Sequence, residues 1–437
     1  FKFKLKGVHL KHCKSTADMP AVRMSVPSTV TIPMSMHIGA FANIIVKAGD
    51  TVKVGQLIGE AGNGLSSPVY SSVSGTVKKI DEIIAINGAR IPAVVIDADG
   101  EQAAFEEIAP PVINTREDFL DAIKKSGIVG LGGAGFPTAV KLSADVSKID
   151  AIVVNGAECE PYITSDTRTM IDDAGLVAEG LSLLMKYLDV KKVIIGIESN
   201  KKKCIESMKK ATSDIEGIEV RSLSAMYPQG GEKVLVYHTL GRVIGEGKLP
   251  IDCGAVVINC TTVATIARYV KTGMPLVEKC VTVDGSAIAS PKNVIAPIGT
   301  SVKDLIEFAG GFKCQPKKVL YGGPMMGMAL PDLSRPILKQ NNAILAFDEK
   351  DGAPVKSSAC IRCGRCVSHC PFGLSPCDIS KAYTLGDGEL IEKSKVNLCM
   401  ECGCCSYICP AKRDLVQTNK LAKIKLREYQ TSRGGTR

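Results

Sequence analysis

Several features are absent from this sequence, and each absence excludes a class of protein. No run of about 18 or more apolar residues occurs, so we expect no helix that spans a bilayer. The segment from Phe1 to Lys6 alternates apolar residues with lysine, and no apolar stretch follows it, so we expect no secretory signal. The phosphate-loop pattern G-x-x-x-x-G-K followed by Ser or Thr is missing, as is any recognisable nucleic-acid-binding module. We therefore expect neither a P-loop enzyme nor a nucleic-acid partner.

The bulk composition is typical of a soluble globular protein with several domains. A chain of 437 residues exceeds what a single core usually holds. Its hydrophobic fraction of 45% and charged fraction of 23% are ordinary for globular domains. Of the 17 cysteines, eight form two regularly spaced runs, and the nine others show no framework spacing. Because an odd number of cysteines cannot pair completely, we expect a reducing cytoplasm.

Two cysteine runs with identical spacing predict iron–sulfur clusters. Each has the form C-x-x-C-x-x-C-x-x-x-C-P, the pattern of bacterial two-cluster ferredoxins, in which the fourth cysteine binds the other cluster. The first run is Cys360, Cys363, Cys366, Cys370 and Pro371, and the second is Cys399, Cys402, Cys405, Cys409 and Pro410. We expect one [4Fe-4S] cluster on Cys360, Cys363, Cys366 and Cys409, and another on Cys399, Cys402, Cys405 and Cys370. Structural zinc is the alternative, but zinc usually takes two pairs of ligands. A metal could also be held by His9, His12 and Cys13, which we expect to be incidental.

Residues 1–110 are predicted to form a β-rich domain. Short apolar runs there are broken by glycines and prolines, as expected of many short strands joined by tight turns. The segments Lys47–Glu60 and Ser67–Ile80 resemble the two halves of a lipoyl or biotinyl carrier domain. A carrier needs a lysine at the hairpin between them, but Ala61–Gly64 has the sequence AGNG. We therefore expect a lipoyl-like barrel-sandwich fold without a swinging arm.

Residues 111–274 are predicted to form a Rossmann-like α/β domain. Strand-length apolar runs occur at Ala151–Asn155, Lys192–Ile197, Glu219–Leu223 and Ala255–Cys260. Between the first two, apolar residues repeat at helical spacing from Ala174 to Leu188. This alternation predicts βαβ units and a largely parallel sheet, with ligand sites at the carboxyl ends of its strands.

The rest of the chain is predicted to hold two smaller domains and a basic tail, which makes the fold class multidomain, α/β and α+β. Residues 275–345 are similar to a β-grasp domain of the soluble-ligand-binding (SLBB) type, which we expect to be a spacer, with ligand binding as the alternative. Residues 346–411 hold the ferredoxin pattern. Residues 412–437 carry eight Lys or Arg against Asp414 and Glu428. This tail suits an acidic partner or an anionic membrane surface, with a solvated helix that covers the ferredoxin domain as an equal alternative.

A glycine-rich loop and an acidic loop form the candidate nucleotide site. Gly130–Thr138 has the sequence GLGGAGFPT and is followed by Lys141. Its glycines let backbone amides approach a phosphate or a planar ring, and a helix start favours anions; a packing turn is the alternative. The strand ending at Asn155 leads into GAECEP, which places Glu158 and Glu160 where they could bond to a flavin edge or a nicotinamide amide. Helix capping by these carboxylates is the alternative.

These loops resemble the FMN- and NADH-binding subunit of respiratory complex I, which has GxGGAGFPT with a lysine, then NxxExEP. Together with the carrier-like region, the β-grasp segment and the doubled ferredoxin run, the whole chain resembles the C subunit of the Rnf complex, an ion-pumping ferredoxin:NAD⁺ oxidoreductase. The resemblance implies that FMN is bound by Gly130, Gly132, Gly133, Gly135, Lys141, Asn155 and Glu158. It implies nucleotide contacts by Phe136, Glu160, Tyr227, Glu232, Asn259 and Thr262, with Glu158 and Glu160 as the catalytic residues nearest to hydride transfer.

Three positions depart from the complex I pattern. Leu131 stands where complex I has arginine, Ala157 replaces an aspartate, and Gly231 replaces the first of two adjacent glutamates. We expect these departures to change individual nucleotide contacts and to leave FMN binding intact.

The resemblance also implies the activity and the partners. NAD(H) would exchange hydride with FMN, and single electrons would pass through two [4Fe-4S] clusters. The expected partners are NAD(H), other Rnf subunits including integral membrane subunits and a ferredoxin-like iron–sulfur subunit, and ferredoxin indirectly. We expect a peripheral position at the cytoplasmic face of the cell membrane. The alternatives are a cobalamin reductase of bacterial microcompartments and a non-enzymatic electron-wiring subunit.

Overall fold

The computed structural model of the chain describes residues 6–85 and 88–433. Part of the segment from Phe1 to Lys6, on which the expectation about a secretory signal depends, lies outside these ranges. The last four residues of the basic tail, up to Arg437, also lie outside the described residues.

The N-terminal region is β-rich, as predicted. Its strands are β1 (Val22–Arg23), β2 (Thr29–Pro33), β3 (Asn43–Ile44), β4 (Thr51–Val52), β5 (Leu57–Glu60), β6 (Val69–Tyr70), β7 (Gly75–Ile84) and β8 (Arg90–Ala98). They form one sheet in the order β2-β8-β7-β4 and a smaller one in the order β3-β5-β6. Alternating side chains such as Val30 and Ile32 point into a buried core between these elements. The turn Ala61–Gly64 lies between β5 and β6.

The next region is an α/β unit built around a parallel sheet. Its elements are α1 (Arg116–Lys125), α2 (Thr138–Leu142), β9 (Ala151–Gly156), α3 (Ser165–Asp172), α4 (Ala174–Leu188), β10 (Val193–Glu198), α5 (Lys202–Ala211), β11 (Ile218–Leu223), α6 (Glu232–Leu240), β12 (Ala255–Asn259) and α7 (Cys260–Thr272). The strand order is β11-β10-β9-β12, with every neighbouring pair parallel. Both central strands are almost entirely buried, which explains their continuous apolar sequences. This arrangement confirms the predicted βαβ organisation.

The β-grasp region has a mixed sheet that also takes a strand from the N-terminal region. Its elements are β13 (Glu278–Asp284), β14 (Lys292–Pro297), α8 (Val302–Phe308), β15 (Lys318–Tyr321), β16 (Met328–Ala329) and β17 (Ala343–Phe347). The strand order is β1-β14-β13-β17-β15-β16, and β1 pairs with β14 in parallel, Val22 opposite Val294. Helix α8 begins after Ser301, whose side chain accepts a hydrogen bond from the amide of Asp304. No pattern in the sequence indicated the contribution of β1.

The C-terminal region is helical and contains both cysteine runs. Its helices are α9 (Glu349–Gly352), α10 (Arg365–Ser368), α11 (Pro376–Leu385), α12 (Gly388–Lys393), α13 (Cys404–Tyr407) and α14 (Leu415–Ser432). Apolar side chains of α11, α12 and α14 share one core, which includes Ile379, Ile391 and Leu426. Most of the basic tail is therefore a helix that covers the ferredoxin region, which was one of the two predicted alternatives. Within the described ranges, no helix is long and apolar enough to cross a membrane.

Candidate flavin, nucleotide and iron–sulfur site

Two asparagines mark the carboxyl edge of the parallel sheet, where the candidate site lies. Asn155 and Asn259 are register partners near the ends of β9 and β12. The Asn259 side chain begins helix α7, because its Oδ1 accepts hydrogen bonds from the amides of Thr261 at 2.9 Å and Thr262 at 3.2 Å. The Asn155 amide donates to the carbonyl of Gly230 at 3.0 Å and so ties a second loop to this edge.

The glycine-rich loop crosses the start of helix α7. The Gly130 amide donates to the carbonyl of Phe136 at 2.9 Å, which closes the loop, and the Leu131 amide donates to Thr262 Oγ1 at 3.1 Å. A Cβ atom at Gly132 would lie 2.5 Å from Asn259 Nδ2, so only glycine fits there, whereas the space around Gly133 is open. The loop therefore offers exposed backbone beside a helix start, which is a surface suited to a phosphate or a ring.

Lys141 joins three parts of the site. Its Nζ donates to the carbonyl of Val257 at 2.9 Å and lies 3.6 Å from Glu232 Oε1. Strand β12, helix α2 and the start of helix α6 therefore meet at this side chain. The structure thus brings Lys141 and Glu232 together, while their contacts with FMN and the nucleotide stay predictions.

Glu158 has a capping role in this structure. Its carboxylate is buried and accepts hydrogen bonds from the Asp166 amide at 2.8 Å and the Thr167 hydroxyl at 2.8 Å, at the start of helix α3. Burial raises the pKa of Glu158, while the Lys14 and Lys201 ammonium groups oppose that rise. Helix capping was the alternative left open by the sequence, and contact between Glu158 and an isoalloxazine ring stays a prediction.

Two buried lysines beneath the acidic loop were not identified from the sequence. Lys14 Nζ donates to the carbonyls of Glu158 at 2.9 Å and Glu160 at 2.7 Å, and burial lowers the pKa of Lys14 to about 8. Lys201 Nζ donates to the Glu158 carbonyl at 2.7 Å and to Glu198 Oε2 at 2.9 Å. The first of these contacts joins positions 144 residues apart, so no local sequence pattern could have indicated it.

A cleft of about 660 Å³ opens beside the glycine-rich loop. Gly132, Gly133 and Glu160 line it from the α/β unit, and His37 lines it from the barrel-sandwich region. The β-grasp region contributes the segment 321–323 and further residues up to Asn342. Phe136 is half-buried and is not among the described residues that line the cleft.

Glu160 is held in this cleft by the β-grasp region. Its carboxylate accepts hydrogen bonds from the amides of Met325 at 3.0 Å and Met326 at 2.8 Å. Burial raises the pKa of Glu160 to about 7, against the lowering effect of these two amides. The β-grasp region is therefore more than the spacer expected from the sequence, because it lines the cleft and positions the Glu160 carboxylate.

The second cysteine run surrounds a cavity together with one cysteine of the first run. The cavity is lined by Cys370, Cys399, Cys402 and Cys405, and Cys404 also reaches it. These first four are the cysteines expected to share one cluster, including the exchange of the fourth cysteine between the runs. Cys404, which has no place in the spacing pattern, lies on the wall of the same cavity.

The first cysteine run is more open. Cys366 and Cys409 belong to one buried apolar group, as the expected exchange requires, while Cys360 and Cys363 are exposed. Among the described residues, no three His, Cys, Asp or Glu side chains converge as ligands of a single metal ion. A cubane takes one thiolate at each of four irons, so its cysteines lie further apart than the ligands of one ion.

Tyr227 connects the loop 227–232 to the second cysteine run. The loop 227–232 packs against that run, and the Tyr227 hydroxyl donates to the carbonyl of Cys402 at 2.7 Å. A Cβ atom at Gly231 would lie 2.2 Å from Met400 Cε, so glycine at this position leaves room for the neighbouring run. This explains one departure from the complex I pattern, in which a glutamate stands at position 231.

The residues present fit a flavin and a cubane cluster at the cavity of the second run, and in the first run Cys366 and Cys409 lie in one buried group. The glycine-rich loop has an open backbone position at Gly133 and a lysine nearby, which suit a phosphate and a ring. Four cysteines line one cavity, and their spacing matches the cluster pattern.

Family models match four successive segments of the chain. They are the "RnfC Barrel sandwich hybrid domain" at residues 1–101, the "Nuo51 FMN-binding domain" at 123–268, the "SLBB domain" at 280–329 and a "4Fe-4S binding domain" at 353–374. Their order confirms the predicted fold class.

Curated relatives match nearly the whole chain. The C subunit of the Na(+)-translocating ferredoxin:NAD(+) oxidoreductase complex of Acetobacterium woodii is 43% identical over 424 residues, which is 95% of each chain. The C subunit of the proton-translocating complex of Clostridium ljungdahlii is 42% identical over 89% of this chain and 85% of the relative. The C subunit of the ion-translocating oxidoreductase complex of Rhodobacter capsulatus is 37% identical over 97% of this chain and 83% of the relative.

The fold also resembles a solved enzyme structure. An NAD+-reducing [NiFe]-hydrogenase in the air-oxidized state aligns with a TM-score of 0.51 over 72% of this chain and 66% of the hydrogenase chain. The sequence identity is 19%, so this likeness shows the shared fold alone.

Proposed function

Because the chain belongs to the family of C subunits of ion-translocating ferredoxin:NAD(+) oxidoreductase complexes, we propose that it exchanges hydride between NAD(H) and FMN and passes single electrons through two [4Fe-4S] clusters. The cobalamin reductase and the electron-wiring subunit are not favoured, since these relatives are oxidoreductase subunits.

The proposed FMN site lies at the carboxyl edge of the parallel sheet. Gly130, Gly132, Gly133 and Gly135 would present backbone to the flavin, and Lys141 would meet its phosphate or ring. Asn155, Asn259 and Thr262 hold the surrounding loops through their hydrogen bonds to Gly230, the start of helix α7 and Leu131. The closeness of these groups, which come from distant parts of the sequence, supports the assignment.

The cleft beside this site is the proposed position of the nicotinamide nucleotide. Glu160 would accept a hydrogen bond from the nicotinamide amide, while Phe136, Tyr227 and Glu232 are the further contacts that the family implies. When bound, FMN supplies the conversion between a hydride pair and the single electrons that an iron–sulfur cluster accepts. The chain's own residues would orient the nucleotide.

The proposed partners follow from the family. The curated relatives are subunits of membrane-associated complexes, so we propose that this chain binds other subunits of such a complex, including integral membrane subunits and a ferredoxin-like iron–sulfur subunit. Ferredoxin would supply or receive electrons indirectly. A peripheral position on the cytoplasmic face fits these partners, and copurification with membrane subunits would test it.

One observation carries this proposal. The second cysteine run packs directly against the loop 227–232, the proposed nucleotide loop, where Tyr227 contacts Cys402. A hydride-accepting site and a one-electron carrier are thereby neighbours in one chain. The test is anaerobic purification followed by an NADH titration monitored optically. We expect about eight iron atoms and one FMN per chain, with bleaching of both flavin and cluster absorbance by NADH. A colourless protein, or chromophores that stay oxidised with NADH, would contradict the proposal.

A further inference from the structure

The Tyr227 side chain makes a contact that its expected role as a nucleotide ligand does not explain. The residue is 3% exposed, and its hydroxyl donates to the main-chain carbonyl of Cys402, a cysteine of the second run. A side chain whose one donor is engaged in this way is not free to donate to a nucleotide. The hydrogen bond instead links the two parts of the molecule that must exchange electrons.

Tyr227 is itself held firmly from the opposite side. Its backbone pairs with Val8, with N–O distances of 3.1 Å and 2.9 Å, and a Cβ atom at Gly7 would lie 2.1 Å from the Tyr227 carbonyl oxygen. The N-terminal segment therefore packs tightly over this residue. A hydroxyl that is held this rigidly can fix the position of its hydrogen-bond acceptor.

Other contacts also join the second run and its flanks to the loop 227–232, the β-grasp region and the α/β unit. The Cys404 thiol lies 4.0 Å from the Tyr227 carbonyl oxygen, which makes it a weak donor. Met400 approaches Gly231, and Gly403 approaches the Met325 carbonyl, where an added Cβ would lie 2.8 Å from the oxygen. The ion pair between Lys395 and Glu246, at 3.3 Å, is about half exposed at both side chains, so it is screened by solvent. The buried hydroxyl is the contact best suited to fix both distance and orientation.

We propose that Tyr227 is a positioning residue that holds the second cysteine run against the nucleotide loop, so that the cluster of Cys370, Cys399, Cys402 and Cys405 is the one beside FMN. This inference rests on the proposed function. Tyr227 itself neither gains nor loses an electron or a proton. Because electron transfer slows steeply as carriers move apart, a small displacement of this run slows the step from flavin to cluster and leaves hydride transfer unchanged.

The test is Tyr227→Phe in the full chain with FMN and both clusters, followed by stopped-flow reduction with NADH. The variant keeps the ring and loses only the hydroxyl. We expect flavin bleaching at the wild-type rate and cluster bleaching about tenfold or more slower, the size of effect typical for groups that orient metal ligands. The electron paramagnetic resonance spectrum of the reduced second-run cluster should also change, while the first-run spectrum stays the same.

A matched control is Tyr187→Phe. The Tyr187 hydroxyl also donates from a buried side chain to a main-chain carbonyl, that of Ile113 at 3.2 Å. Because this bond involves neither cysteine run, its removal should change neither rate. Equal cluster rates in wild type and Tyr227→Phe would overturn the proposal. Slower flavin bleaching with an unchanged cluster step would also overturn it and would return Tyr227 to the role of a nucleotide ligand.

Hydrogen exchange of the wild-type chain provides a second measurement, independent of turnover and of whether the variant folds. If the two segments are held together, the backbone amides of 399–405 and 227–231 should show similar protection against hydrogen exchange. Much faster exchange in 399–405 would overturn the proposal. A flavin that stays oxidised with NADH in the wild type would contradict the proposed function instead, and the exchange result would still decide the role of Tyr227.

Discussion

The two cysteine runs have the same spacing and different surroundings. In the first run, Cys360 and Cys363 are exposed, and the neighbouring Ile361 is 65% exposed. In the second, Cys402 and Cys405 are buried, and the main-chain carbonyl of Cys402 accepts a hydrogen bond from Tyr227. The shared spacing therefore gives both runs the same cluster ligands, while packing leaves the first run exposed and buries much of the second.

Helix α14 strengthens this difference. Lys423 Nζ donates to the Cys399 carbonyl at 2.7 Å and pairs with Glu401 at 2.6 Å, which fixes the start of the second run. The segment between Asp351 and Asp378, which contains the first run, has no acidic residue but includes Lys356, Arg362 and Arg365. The second run is thus an internal element, whereas the first presents basic and apolar side chains to solvent. We infer an order in which electrons pass between the flavin and the second cluster before the first.

Cysteine variants should have the largest effect on the difference between the two runs. In Cys402→Ala we expect about four iron atoms per chain, a flavin still bleached by NADH, and a first-run cluster that NADH no longer reduces. In the matched variant Cys363→Ala, also with about four iron atoms, the second-run cluster should still be reduced at the wild-type rate. Iron content, FMN content and paramagnetic resonance after NADH addition are the measurements. If the first-run cluster were reduced normally in Cys402→Ala, the inferred order would be wrong.

A smaller change at Gly231 would sharpen the comparison. In Gly231→Ala the new methyl group would displace the Met400 side chain, whose flexible end can move. We expect cluster reduction to slow by less than in Tyr227→Phe, because the Met400 side chain can move aside and the hydrogen bond from Tyr227 to Cys402 is kept.

The control for this change is Gly175→Ala. Gly175 lies in helix α4 and has open space where the methyl group would be added, so this substitution should leave both rates unchanged. Stopped-flow bleaching measures the rates in both variants. A Gly231→Ala rate equal to that of the control would show that contact with Met400 does not set the position of the second run.

The sequence predicted the fold class and the ligand grouping because both follow local rules. Spacing of the cysteines and the turn after each run indicated two clusters with exchanged fourth ligands, and the cavity lined by Cys370 and Cys402 has that grouping. Alternating apolar segments indicated the parallel sheet, and the strand ends then located Asn155 and Asn259.

The contacts that could not be predicted join segments that are distant in the sequence. Lys14 reaches the acidic loop, β1 joins the β-grasp sheet, and Tyr227 reaches Cys402 across 175 residues. None has a periodic or spacing signal, since each depends on how whole domains pack. The role of Glu158 illustrates the same point, because a carboxylate at a strand end suits a ligand or a helix start equally well until its donors are known.

The smallest predicted effect concerns the reduction potential of the second-run cluster. Burial raises the pKa of Glu160 to about 7, and the Met325 and Met326 amides and the Lys14 ammonium oppose that rise. Above that pH the ionised carboxylate adds negative charge close to the second run, so the cluster accepts an electron less readily. At an effective dielectric constant of about 20, a unit charge at a separation on the order of 10 to 15 Å contributes roughly 1 kcal/mol, or some tens of millivolts for one electron.

We therefore expect the potential of the second-run cluster to fall by tens of millivolts as the pH rises through about 7, while that of the first-run cluster changes less. Potentiometric titration at pH 6 to 8, monitored by paramagnetic resonance, measures both potentials. Glu160→Gln removes the titrating carboxyl and should abolish the change near pH 7. Any remaining pH dependence of the potential should occur near pH 8, because the pKa of Lys14 is about 8 and loss of its positive charge also lowers the potential. An equal pH dependence at both clusters would assign the effect to solvent rather than to Glu160, because the Glu160 carboxylate lies close enough to act on Cys402 of the second run.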